Sequence, residues 1–312
     1  VLENIGLSWL RALEDDNGFA EAVVNGAAVR SVPPTGVTQS RLGYCWSRLA
    51  LLYPHQSDFR RAAEKSFRLP PLDSGARVYD HSFYLLFMSW YFQLTGDASA
   101  ISRLKERYAL VRTFLDDAGV GGFGPQPPGM RSHNPYMHLL EALITAFRHT
   151  GDDYWIEEAT SIVKLFFNRL RDRETGLVFE FFNADWSITS ERRIEIGHQF
   201  EWASLLSEFH EVTNRGPCSF AAHLHDFAMR HGIENGLAIN AVTENGNPTD
   251  KSKPLWVQTE AIRRKAVDWD FARERFFHAN GWSWYNRLTA DGTPVEEPSN
   301  ARLLYHVITA LT

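Results

Sequence analysis

Cysteine is nearly absent from this chain: 2 residues, Cys45 and Cys218, in 312. They form neither a CxxC pair nor a Cys/His ligand spacing, so no disulfide-built scaffold and no metal site is expected. Basic residues are also short, with 32 Lys and Arg against 38 Asp and Glu. The resulting net charge of −6 argues against nucleic acid or an anionic membrane as partner. No apolar run reaches membrane-spanning length, and no signal-peptide pattern opens the chain. With two isolated thiols, that points to a cytoplasmic protein. A Gly-rich phosphate loop is missing too, which removes the usual sign of nucleotide dependence. Aromatic residues are what the chain has in excess: 13% of positions, including 10 Trp and 21 Phe. Such density suits a deep pocket or a sugar-binding surface, and also a large core.

Apolar residues at helical spacing recur in a regular series. Strongly apolar helices are expected to begin near 38, 80, 135, 197, 256 and 303. Amphipathic helices precede them, at 2–13, 58–67, 98–117, 153–171, 220–232 and 271–279. Turn-rich segments at 176–186, 237–247 and 282–295 read as hairpins, the last two turning at Asn245-Gly246 and Asp291-Gly292. Thr-Gly-Asp closes two of the apolar helices, at 95–97 and 150–152. Six helix pairs in one series predict a closed all-α toroid, six helices inside and six outside, as one domain over 1–312. An open solenoid of the same repeat is the structural alternative.

In such a toroid the first turns of the inner helices converge on one cavity. They carry Gln39, Arg41 and Tyr44; Tyr79, Asp80 and His81; and His133, Asn134, Met137 and His138. The later three carry His198 and Glu201; Trp256, Gln258 and Glu260; and Tyr305 and His306. Any one of these is ordinary as a cap or a paired core group. Together, five histidines, three carboxylates and an arginine are costly to bury without a ligand. Set among Trp, Tyr and Phe, they fit a neutral polyol such as a sugar. His198 and Glu201 stand three apart and so share a helix face. The other histidines, among them His223-x-His225, read as surface or helix-end residues.

The segments RVYDHSF, NPYMHLLEAL, GHQFEWASLL, LWVQTEAIRR and the closing YHV resemble, in order, the N-acylglucosamine 2-epimerase superfamily. NPYMHLLEA and GHQFEW are most similar to its D-mannose isomerase and sulfoquinovose isomerase branch. The resemblance implies an (α/α)6 barrel and cofactor-independent isomerisation or epimerisation of a monosaccharide at C2. It gives His198 and His306 the acid–base roles, Glu201 the carboxylate that tunes a histidine, and Arg41 the contact to the developing oxyanion. His138 becomes a further pocket histidine, and Trp256, Gln258, Asp80, His81 and Asn134 substrate wall. Tyr44 is placed with them as a substrate-binding residue. Histidine suits removal of a proton beside an aldehyde, and a fixed cation suits the cis-enediolate left behind. An aldose–ketose isomerase on a mannose-type sugar is the leading expectation. Its rivals are a 2-epimerase with two histidines on opposite faces, a glycoside hydrolase using Glu201 and Glu260, and a non-catalytic sugar binder. Rim segments 69–76 and 119–131 look short beside the family. A homodimer is left open.

Overall fold

The computed structural model describes residues 1–70, 72, 76–114, 122–124, 129–215 and 218–312. About half of rim segments 69–76 and 119–131 therefore lies outside the described residues. Among those described, the helices run α1 (Leu2–Leu13), α2 (Gly36–Leu52), α3 (Ser57–Arg68), α4 (Val78–Thr95), α5 (Ala98–Phe114) and α6 (Asn134–Thr150). They continue as α7 (Asp153–Leu165), α8 (Ile196–Thr213), α9 (Cys218–Gly232), α10 (Leu255–Arg263), α11 (Trp269–Phe276) and α12 (Leu303–Leu311). The even-numbered helices start within two residues of the expected positions. They pack in a ring, each on the next, and α12 returns to α2. That closure makes an (α/α)6 barrel and disposes of the open solenoid.

Inner helices are apolar nearly all round, which suits a helix with neighbours on every side. In α4 the residues from His81 to Ser89 are all buried. The Thr-Gly-Asp turns make the step from inner to outer helix. Gly96 and Gly151 take left-handed backbone (φ 70° and 67°) as C-caps, where a side chain would be strained. Asp152 then caps α7 by accepting from the Tyr154 N–H at 3.1 Å. The expected helix 153–171 is α-helical to Leu165 and finishes in a π-turn, Phe166–Leu170.

Short strands cover one face. The hairpin expected at 176–186 turns at 183–187 and closes on Ile188, and its strand Phe181–Phe182 also pairs with Arg131–Ser132. Ser299–Asn300 pairs with Ala22–Val24, so sheet as well as helix seals the seam between the two ends of the chain.

Three inner helices are tied to these strands by one device. Gln39 accepts from Phe19 N (3.0 Å) and donates to Phe19 O (2.7 Å). Gln199 does the same with Val178 (3.2 and 2.8 Å) and Gln258 with Ala238 (2.8 and 2.8 Å). Two residues along a helix are roughly 200° apart. With each glutamine anchored to the strands, Arg41, Glu201 and Glu260 are therefore turned toward the barrel interior.

Candidate active site

His198 comes from the first turn of α8 and is 6% exposed. Its Nδ1 lies 2.9 and 3.0 Å from the two oxygens of Glu180 and 3.4 Å from Glu195 Oε2. Burial by itself disfavours the imidazolium, but Glu180, Glu195 and Glu201 outweigh it and hold His198 up at about 9. The Glu180 Oε2 that lies nearest His198 also meets His133 Nε2, at 3.2 Å. Glu180 is buried, which disfavours its charge, yet two imidazoles on it keep it well below the usual carboxylate range.

His306, on α12, repeats the arrangement. Its Nδ1 is 2.9 Å from Glu260 Oε1, and the ring is again 6% exposed. Here burial prevails over Glu260, Arg41 adds to it, and the imidazole titrates below its ordinary value. Trp256 stands beside both rings, with centroids 4.8 Å from His198 and 6.1 Å from His306. Gly197 makes room for that indole: a Cβ there would lie 2.4 Å from the Trp256 ring.

Arg41 is buried under aromatic faces, its guanidinium 3.9 Å from the Phe83 centroid and 5.2 Å from that of Tyr305. It donates to the Tyr79 hydroxyl. His138 touches the same group, with Tyr79 and Phe83 at 5.2 and 4.5 Å. Its Nδ1 is 3.4 Å from Glu141 and 3.7 Å from Glu201. Burial pushes His138 down to about 4, so it is neutral at physiological pH. Burial, with Glu260 and Glu141 nearby, pushes Glu201 well above its ordinary value. The carboxylate that tunes His198 directly is thus Glu180, while Glu201 stands nearest His138.

Asn134 sits at the start of α6 with its Oδ1 buried and unpartnered among the described residues. With Tyr79, Arg77, Arg131 and Phe123 it lines a cavity of about 370 Å³ on the strand-covered face. Tyr79 joins that cavity to Arg41. Asp80 faces Arg77 at 3.6 Å at the same rim.

Three expected wall residues are spent elsewhere. Both amide groups of Gln258 are taken by the Ala238 backbone. Tyr44 bonds Thr309 Oγ1 at 2.9 Å and also accepts from Arg48. His81 faces the outer layer, with Nδ1 3.4 Å from Arg107 and its ring stacked on Phe114. Glu260, nominated for glycoside hydrolysis, is committed to His306. The sequence reading missed Glu180, Glu195 and Glu141. A lone glutamate inside the aromatic run Leu-Val-Phe-Glu-Phe-Phe was the available signal, since a carboxylate there needs a partner.

Two triads bring ligand-type atoms within 4.8 Å of one another: His133, Glu180 and His198, and His138, Glu141 and Glu201. Trp202 Nε1 donates to His133 Nδ1 at 3.0 Å, which places the remaining hydrogen of a neutral His133 on Nε2, toward Glu180. Glu141 accepts from the Tyr305 hydroxyl at 2.5 Å.

The profile of the N-acylglucosamine 2-epimerase (GlcNAc 2-epimerase) family matches residues 62–310, most of the chain. The chain belongs to this family. Among relatives, "Mannose-6-phosphate isomerase" of Rhizobium meliloti (strain 1021) is 30% identical over 205 residues, 57% of this chain and 53% of its own length. A second, "D-mannose isomerase" of Thermobifida fusca, is 25% identical over 51% of this chain and 47% of its own length. The matched stretch is thus about half of each relative. A crystal structure of D-mannose isomerase superposes with TM-score 0.86 at 19% identity, covering 99% of this chain and 94% of that one. These likenesses agree with the barrel described above. Among the described residues, no helix is long and apolar enough to cross a membrane.

Proposed function

We propose that this family member interconverts an aldose of D-mannose type and its 2-ketose through a cis-enediolate, with His198 and His306 as the acid–base pair. The observation that carries the reading is the matched pair of buried histidines, each with Nδ1 on a glutamate at 2.9 Å and each beside Trp256. Both keep Nε2 for proton exchange. At neutral pH His306 is a free base, and His198 is an imidazolium.

His306 takes the C2 proton of the open-chain aldose while His198 gives a proton to O1. The enediol then takes the proton from His306 at C1 and returns the O2 proton to His198, which leaves the ketose. Charge on O1 and O2 faces the fixed guanidinium of Arg41. General acid–base transfer of this kind contributes about 10²–10⁴-fold. The resemblance assigned the C2 proton to His198; the charge states favour His306 for its removal.

A 2-epimerase is the second reading, and the likeness of the two histidine–glutamate pairs favours it. In that case His198 delivers its proton to C2 from the opposite face. Proton NMR of D-mannose in heavy water, without added metal or nucleotide, separates the two. Fructose as first product supports the isomerase; glucose deuterated at C2 supports the epimerase. Unchanged mannose, N-acylglucosamine and cellobiose would contradict both.

A further inference from the structure

The hydrogen bonds behind His198 have a direction that can be worked out. An indole N–H only donates, so His133 Nδ1, 3.0 Å from Trp202 Nε1, accepts. Burial holds His133 below its ordinary value, and it is neutral. A neutral imidazole that accepts at Nδ1 carries its hydrogen on Nε2, the atom 3.2 Å from Glu180 Oε2. Glu180 also receives the Glu195 backbone N–H at 3.3 Å. With those donors on it, Glu180 has no proton to give. His198 Nδ1 at 2.9 Å is therefore the donor in its turn. The order runs Trp202 to His133 to Glu180, and from the other side His198 to Glu180.

We propose that Trp202, His133 and Glu180 form a relay that locks His198 with its hydrogen on Nδ1, Glu180 acting as a positioning residue that reserves Nε2 for the sugar. This rests on the reading of His198 as an acid–base group of a sugar isomerase or epimerase. The relay spans two repeats of the barrel. Glu180 comes from the segment before α8, His133 from the residue before α6, and Trp202 from one turn further along α8 than His198.

The titratable groups around His198 are Glu180 and the neutral His133 on the relay side and Glu201 on its own helix. Glu195 precedes that helix, its Oε1 3.0 Å from Arg193. Trp256, from α10, faces the ring without charge. Burial and Glu180 raise Glu195 from its ordinary value, whereas Glu180 is held down and is the nearer of the two carboxylates, at 2.9 against 3.4 Å. Trp202 has no charge, which makes it a probe of the relay that leaves the electrostatics intact.

The test uses the full chain with ¹⁵N-labelled histidine and reads the His198 and His133 rings by NMR across pH, beside kcat and KM. Glu180→Gln is expected to bring the His198 titration down by at least one unit. It should lower kcat roughly 10²–10⁴-fold, the range seen when a histidine loses its orienting carboxylate or its acid–base role. KM should change little. Glu180→Asp should recover part of the loss. Trp202→Phe should let the His133 hydrogen redistribute between its two nitrogens and lower kcat by a smaller factor. A folded Glu180→Gln protein with an unmoved His198 titration would overturn the relay. If that variant does not fold, an unchanged His133 spectrum and kcat in Trp202→Phe would overturn it instead. The ring titrations need no substrate. A shift in Glu180→Gln alongside a wild type that converts no sugar would leave the relay standing and remove the proposed activity.

Discussion

His198 and His306 each offer Nδ1 to a buried glutamate at 2.9 Å, and the neighbourhoods of the two rings then diverge. Around His198 the further charges are acidic: Glu195 at 3.4 Å, then Glu201. Around His306 the single paired carboxylate shares its surroundings with Arg41, and Glu260 itself faces Arg263 at 3.6 Å. Two further acidic neighbours on one side and one guanidinium on the other put the rings in opposite charge states at neutral pH. A proton-transfer pair needs that asymmetry, because two imidazoles in the same state can supply either two bases or two acids.

The comparison is broken most completely by removing a ring. His306→Asn and His198→Asn should each lower kcat by roughly 10³–10⁴-fold, measured as sugar turnover in the folded variant. Glu260→Gln comes next, at roughly 10²-fold. It removes the group that raises His306, so the acid limb of the pH profile should move to lower pH while the alkaline limb stays. Glu180→Gln should move the other limb. Gly197→Ala is a steric probe: its Cβ would force the Trp256 indole away from His198. A displacement of about 1 Å in a catalytic wall costs up to roughly 10²-fold in rate, and kcat/KM should fall within that range. Gln258→Ala should have the smallest effect on rate. It leaves Ala238 N–H and C=O unpaired and should cost about 1–3 kcal/mol in denaturant unfolding, with KM unchanged. A raised KM would return Gln258 to the substrate wall.

Much of the fold was legible because an inner helix of a closed barrel is buried on all sides. Its apolar run is then long and unbroken, as from Phe83 to Met88, and its start is marked by polar residues. The Thr-Gly-Asp turns were visible for a similar reason, since left-handed backbone selects glycine. Arg41, His138, His198 and His306 could be nominated because they lie in the opening turns of those helices. Orientation was harder to read. Every side of an inner helix meets something, so sequence spacing alone does not tell cavity from strand or outer helix. Gln258 faces a strand and His81 the outer layer for that reason. Glu180 was missed because its partner ring lies 18 residues further on, across a turn that helical periodicity does not describe. The Gln-x-Arg and Gln-x-Glu spacing at 39–41, 199–201 and 258–260 was in plain view. It carries meaning only once the strand that each glutamine grips is known.

The measurement that bears most directly on the two opposed histidines is kcat/KM for D-mannose from pH 5 to 10. His306 titrates below its ordinary value and must be neutral, so activity rises along an acid limb lying below about pH 6.5. His198 must be protonated, so activity falls along an alkaline limb near pH 9. A bell with those limbs is the predicted result. A flat profile, or one that keeps rising through pH 9, would contradict the assignment of His198 as the charged acid and His306 as the base.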